Sequence, residues 1–177
     1  GSEGVSFDTV AGFGENAAEP HHHPTTRALE RGDMIKVDFG AMADGYHSDM
    51  TRVFAFGEPA PEMTEIYDLV KAANQAGLDA VRAGVTSGTV DAAAREIVRA
   101  RGHDYGHGTG HGVGLEIHES PPVRQGAQVV LQDGMALTVE PGIYIPGTGG
   151  VRIEDTVIVR PAGCDILTRS TKELVII

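Results

Sequence analysis

The chain has 177 residues, 41% of them apolar, enough for one folded domain with a real core, taken as residues 1–177. Its formal net charge of −11 argues against general affinity for nucleic acid or anionic membranes. No apolar run is long enough to span a membrane and no basic-then-apolar segment opens the sequence; a lone cysteine, Cys164, excludes an intrachain disulfide and fits a reducing, cytoplasmic compartment.

In chain order, Val5–Phe13 is rich in β-branched and aromatic residues and is predicted as a strand. Residues 14–32 read as loop, with Pro20, Pro24 and the internal run His21-His22-His23. Met34–Gly40 and His47–Phe56 are predicted as the two arms of a hairpin around the turn signal Asp44-Gly45. Asp38 and Asp49 sit one on each arm, with their midpoint between Ala43 and Asp44. Folding there sets them roughly opposite, with Cβ atoms about 5 Å apart. Two bare carboxylates that close repel, and a cation between them removes the conflict. Taken alone, the stretch reads equally well as two solvated aspartates flanking a turn.

Met63, Ile66, Tyr67, Val70, Ala73, Gly77, Leu78 and Val81 recur at helical spacing, with Asn74 the one polar residue on that face. Pro61 suits the first turn of this helix and Ala83-Gly84 its close. A second helix is predicted from an N-cap at Ser87, with an apolar stripe of Val90, Ala93, Ala94, Ile97 and Val98, ending at Gly102. Gly102–Gly114 is mostly Gly and His and reads as a loop that lets backbone approach something closely. Leu115–His118 is predicted to return to extended structure. Met135–Ile145 and Val151–Val159 form a second predicted hairpin around residues 146–150, and Leu174–Ile177 a short last strand. Glu140 and Glu154 lie on its two arms, with their midpoint at Gly147 inside the turn.

Four carboxylates and an imidazole, from among His107 and His111 of the glycine loop and His118 just after it, suit two divalent cations. Hard oxygen donors with one nitrogen favour Mn²⁺, Co²⁺, Fe²⁺ or Zn²⁺. Two such ions about 3.5–4 Å apart make a bound water nucleophilic near neutral pH, which is hydrolysis chemistry. There is no GxSxG elbow, no Walker-type phosphate loop and no HExxH. Cys164 has no histidine near it in sequence and is not read as a nucleophile.

The runs GYHSDMTRVFAFG, GHGTGHGVGLEIHE, LTVEPGIYIPG and GGVRIEDT, in this order, resemble the metallopeptidases of the pita-bread fold, which include methionine aminopeptidase, aminopeptidase P, prolidase and creatinase. VEPGIYIPG and GGVRIED look like the Xaa-Pro branch, prolidase and aminopeptidase P. The resemblance implies an α+β fold, a curved antiparallel sheet backed by helices. It implies two divalent metal ions, Mn²⁺ foremost, with Asp38, Asp49, His111, Glu140 and Glu154 as ligands. Asp49 and Glu154 would bridge both ions, Asp38 would complete one shell, and His111 with Glu140 the other. It also assigns catalytic roles to Glu140, His118 and His21 and substrate-binding roles to His21, His118, the nearby loop residue His107 and Arg152, which stands beside the last glutamate. His22 and His23 receive no role.

The activity so implied is hydrolysis of Xaa-Pro peptide bonds, on a peptide with proline at its second position. The alternatives are methionine aminopeptidase and a non-catalytic peptide- or partner-binding module on the same scaffold. Arg124, after the glycine loop, is a candidate to hold a dipeptide's C-terminal carboxylate. A homodimer is compatible with the family. Family members carry helical sequence before the first strand, whereas this chain begins at about that strand, so the apolar back of the first hairpin is expected to be exposed.

Overall fold

Two hairpins, each bent at an acidic pair and joined through two helices, organise residues 1–177, all of which the computed structural model describes. The predicted first strand is two strands, β1 (Gly4–Val5) and β2 (Val10–Phe13). A short 3₁₀ turn follows at Gly14–Ala18. The first hairpin then runs as β3 (Met34–Phe39), β4 (Ala41–Ala43), β5 (Tyr46–His47) and β6 (Met50–Ala55). Each arm is broken near Gly40, where a Cβ would lie 1.9 Å from the Ser48 carbonyl oxygen. The first predicted strand divides at the same level because β1 pairs with β4 while β2 pairs with β3.

The turn is centred between Asp44 and Gly45, both at positive φ (52° and 76°), the signature of a two-residue hairpin turn of the I′ type. Met42 therefore faces His47, and further along Asp38 faces Thr51 rather than Asp49. Asp49 precedes Thr51 by two positions, so strand alternation keeps both aspartates on one face, as diagonal rather than direct neighbours.

Helix α1 (Pro61–Ala80) buries the predicted stripe, including Asn74 and Gly77. It stops short of the predicted end: the Val81 N–H closes on the Leu78 carbonyl, and Gly84 turns at φ +87°. Helix α2 (Ser87–Arg99) is capped at Thr86, one residue before the predicted N-cap. The glycine loop is not all loop. Its middle forms β7 (Gly110–Gly112), whose backbone lies so close to its neighbours that a Cβ at Gly110 would sit 1.9 Å from the Thr138 carbonyl oxygen. Residues 115–118 bend rather than extend, and the strand β8 (Glu119–Val123) begins just after them.

The second hairpin comprises β9 (Ala136–Val139), β10 (Gly142–Ile145), β11 (Gly149–Arg152) and β12 (Asp155–Arg160), followed by β13 (Gly163–Ile166) and β14 (Val175–Ile176). Gly142 pairs with Arg152 on one side of a break and Val139 with Asp155 on the other, a single register throughout. The larger sheets have the orders β13-β12-β9-β7-β8 and β14-β6-β3-β2. All pairings are antiparallel except β14 with β6, so the expected antiparallel sheet is a set of four hydrogen-bonded pieces with one parallel edge.

Helix α1 serves both halves. Met63, Ile66, Tyr67 and Val70 pack with Met34, Val53, Ile143 and Ile153, while Leu78 packs with Leu137, Val139 and Val157. Burying each such side chain contributes about 1.5–3 kcal/mol. On β3 the alternation is clear: Met34 and Lys36 are buried, Ile35 and Val37 are half-buried, and Phe39 on their face is 38% exposed. No helix is long and apolar enough to cross a membrane.

Candidate metal centre

The breaks in the two hairpins meet at one cavity of about 300 Å³. Asp38, Asp49, His111, Glu140 and Glu154 all line it, as do His21, His107, His118 and Arg152. The tightest group is Asp49, His111 and Glu154, each offering a donor atom within 4.8 Å of the others. Glu140 joins through His111, whose Nε2 lies 3.4 Å from Glu140 Oε1 and 3.5 Å from Asp49 Oδ2. Asp38 lines the same cavity, its Oδ2 accepting a hydrogen bond from Arg152 Nη2.

The protonation of His111 is set locally. Its Nδ1 is 3.0 Å from the Gly112 carbonyl, an acceptor, so Nδ1 carries the proton and Nε2 presents its lone pair to the carboxylates. Burial holds His111 below the usual imidazole range. Asp38 Oδ1 and Glu154 Oε1 are buried with no hydrogen-bond partner. A cavity wall of lone pairs facing lone pairs fits cations, and the oxygen-rich donor set with one nitrogen suits divalent first-row metals. Without them, protons must relieve the repulsion. Burial pushes Asp49, Glu140 and Glu154 above the ordinary carboxylate range, and neighbouring carboxylates push all three further.

Arg152 is the one guanidinium in the cavity wall, and all three of its nitrogens are engaged by the protein. Besides Asp38, Nε donates to Thr51 Oγ1 at 3.0 Å, and Nη1 donates to Tyr144 Oη at 3.0 Å and to the Pro20 carbonyl. It braces ligands rather than presenting a free fork to a substrate. His107 sits behind it: Nδ1 donates to the Gly108 carbonyl and Nε2 accepts from the Tyr144 hydroxyl, and burial pulls its pKa down to about 4. His118 is exposed at the mouth, its ring 4.3 Å from that of His111. His21 is exposed and lines the cavity, whereas His22 is buried and its Nδ1 lies 2.7 Å from Glu19 Oε2. Arg124 is exposed and does not line the cavity.

The model of metallopeptidase family M24 matches residues 1–161. The chain belongs to metallopeptidase family M24. An Xaa-Pro dipeptidase of Pyrococcus furiosus is 44% identical over 176 residues, covering 98% of this chain and 51% of that protein. The structure of an Xaa-Pro dipeptidase from Bacillus anthracis superposes at a TM-score of 0.98 with 46% identity, over 100% of this chain and 50% of the other. An X-Pro aminopeptidase from Thermotoga maritima superposes at 0.97 with 41% identity, over 100% and 51%. The M24 chain thus has the pita-bread fold and spans about half the length of the relatives it matches.

In this M24 domain several residues that shape the site carried no chemical signal of their own. Thr51 lies two positions after Asp49, and the two-residue period of a strand puts both on one face. Its hydroxyl donates to Glu154 Oε2 at 2.7 Å while accepting from Arg152. Lys36 is fully buried two positions before Asp38, and its Nζ donates to the Ala17 and Glu19 carbonyls, fixing the segment that brings His21 to the cavity. Asp91 and Arg95 of α2 hold the glycine loop from behind: Arg95 donates to the Tyr105 and His107 carbonyls, and Asp91 accepts from Thr109.

Proposed function

We propose that this M24 domain hydrolyses the peptide bond preceding proline, using two divalent ions, Mn²⁺ foremost, held by Asp38, Asp49, His111, Glu140 and Glu154. The observation that carries the reading is the convergence of four carboxylates and the His111 lone pair on one cavity, with buried, unpartnered oxygens on Asp38 and Glu154. Bound there, the ions supply a water of lowered pKa and Lewis acidity at the scissile carbonyl.

The chain's own residues do the rest. Glu140, in the cavity wall beside His111, takes the proton of the attacking water and passes it to the leaving imide nitrogen. His118, at the mouth beside His111, donates to the developing oxyanion. His21, held on the wall fixed by Lys36, contacts the substrate from the first half of the fold. His107 and Tyr144 keep Arg152 against Asp38 and so preserve the shape of the ligand set.

The test is an assay of manganese-loaded protein, in its full-length form, on an Xaa-Pro dipeptide and on a longer peptide led by Xaa-Pro. Cleavage of either, lost on chelation, supports the proposal, and the ratio between them separates dipeptidase from aminopeptidase. Two bound ions with cleavage of neither would favour a binding module on the same scaffold.

A further inference from the structure

The second hairpin has a backbone problem at the position where it carries chemistry. Opposite Ile153 stands Pro141, and the Ile153 N–H reaches the Pro141 carbonyl at 3.4 Å. Proline has no N–H to return, so the Ile153 carbonyl loses its donor across the ladder. The next pair, Glu140 and Glu154, is a non-hydrogen-bonded one whose N–H groups point outward. The Glu140 N–H donates to the Thr109 carbonyl at 2.7 Å and the Glu154 N–H to the Thr51 carbonyl at 3.2 Å.

A single side chain from outside the hairpin spans this gap. Asn74, fully buried on α1, donates its Nδ2 to the Val139 carbonyl at 2.9 Å and to the Ile153 carbonyl at 3.4 Å. Those are the residues immediately before Glu140 and Glu154. The amide is held in one orientation because its Oδ1 accepts from Lys172 Nζ at 2.8 Å, and Lys172 in turn pairs with buried Asp155. The helix can come close enough for this short side chain because Gly77, one turn on, has no Cβ; one placed there would lie 2.7 Å from Val139 Cγ1.

We infer that Asn74, oriented by Lys172, is a positioning residue that fixes the spacing of Glu140 and Glu154 and thereby the affinity of the centre for metal. The inference rests on the proposed function for the identity of the ligands, but not on hydrolysis. One amide bracing both glutamate-bearing strands couples the two ligands to α1 rather than to each other, so the break in the sheet keeps one geometry. Asn74→Leu removes both donors at similar volume and leaves the Ile153 carbonyl unpaired. Lys172→Met leaves Asn74 in place and frees its amide to turn over.

The experiment is calorimetric titration of metal-stripped protein with Mn²⁺, beside circular dichroism and thermal melts of the same samples. Loss of a partner that holds a metal ligand costs on the order of 10–100-fold in affinity. That loss is expected for Asn74→Leu and a smaller one for Lys172→Met, in molecules whose far-ultraviolet spectrum is unchanged. Should Asn74→Leu fail to fold, Lys172→Met alone decides. Wild-type affinity in the folded variants, with only a lower melting temperature, would overturn the inference and leave Asn74 a structural amide. Wild-type protein that takes up no Mn²⁺ would overturn the proposed centre itself.

Discussion

Glu140 and Glu154 face each other across one hairpin at the point where its ladder breaks, and their backbone N–H groups leave in opposite directions. One donates to Thr109 on the glycine-loop side, the other to Thr51 on the first hairpin. The two glutamates form a non-hydrogen-bonded pair of the antiparallel register, beside the hydrogen-bonded position of Pro141 and Ile153, so both N–H groups point outward and tie the second hairpin to the glycine-loop side and to the first hairpin.

Thr51 is the hinge of that arrangement. It donates to Glu154 and accepts from Arg152, which holds Asp38, so one hydroxyl connects ligands on both hairpins. Thr51→Val keeps the shape and removes the hydroxyl. It is expected to lower Mn²⁺ affinity or turnover by about 10–100-fold and stability by about 1–3 kcal/mol. Titration and denaturant melts check this; a variant indistinguishable from wild type would show that Glu154 and Arg152 need no common partner.

The carboxylates make the metal-free protein sensitive to pH. Asp49 holds its proton up to about 8 when folded, through burial and then the charges of Asp38 and Glu140, against an ordinary value of about 4. Between those values the folded state binds more protons than the unfolded chain, so the Asp49 contribution to stability falls as pH rises. His107 and His111, pulled down by burial, act in the opposite sense below about 6.5, and Lys36, pulled down to about 7 by burial, opposes above that. Comparison with Asp49→Asn isolates the carboxylate. In chelator, wild type is expected to lose stability relative to the variant from about pH 5 to 8. With excess Mn²⁺ the trend reverses, because the ion binds the deprotonated ligands. Parallel melting curves across that range would contradict the raised proton affinity.

Two glycines of the same loop should behave differently. A Cβ at Gly110 would strike the Thr138 carbonyl oxygen at 1.9 Å, whereas one at Gly106 meets nothing within 4 Å. Gly110→Ala is expected to cost about 1–3 kcal/mol or more and to displace the neighbouring His111, seen as weakened Mn²⁺ binding. Gly106→Ala should stay within about 0.5 kcal/mol of wild type. Equal effects would mean that the loop's glycines matter for flexibility rather than for close approach at β7.

The second hairpin was legible because its turn lies at the midpoint of its two glutamates. Glu140 and Glu154 stand where that symmetry places them. The same reasoning missed the first hairpin's register by two positions on one strand, because the turn is centred between Asp44 and Gly45 and not one residue earlier. The helix stripe of α1 was readable from periodicity, that of α2 only in part, since Asp91 and Arg95 are buried while Ala93 and Ile97 are half-buried, and the five ligand candidates came from residue type and a family resemblance. What could not be read are the places where backbone groups lose their usual partners. Pro141 removes a ladder donor, and only the fold brings Asn74 from α1 to replace it. Asn74 appeared in sequence as a polar blemish on an apolar face, and nothing in the sequence singled out Lys36. Both are buried because carbonyls freed by irregular segments need donors, a demand visible only once those segments are in space.

The most direct measurement is the number of ions bound by metal-stripped protein on titration with Mn²⁺, in wild type and in Asp49→Ala. Wild type is expected to bind about two ions per chain, and Asp49→Ala, lacking the proposed bridging carboxylate, fewer than one tightly, with loss of any Xaa-Pro cleavage. A wild-type chain that binds at most one ion, or an Asp49→Ala variant that binds and cleaves like wild type, would contradict the dinuclear centre.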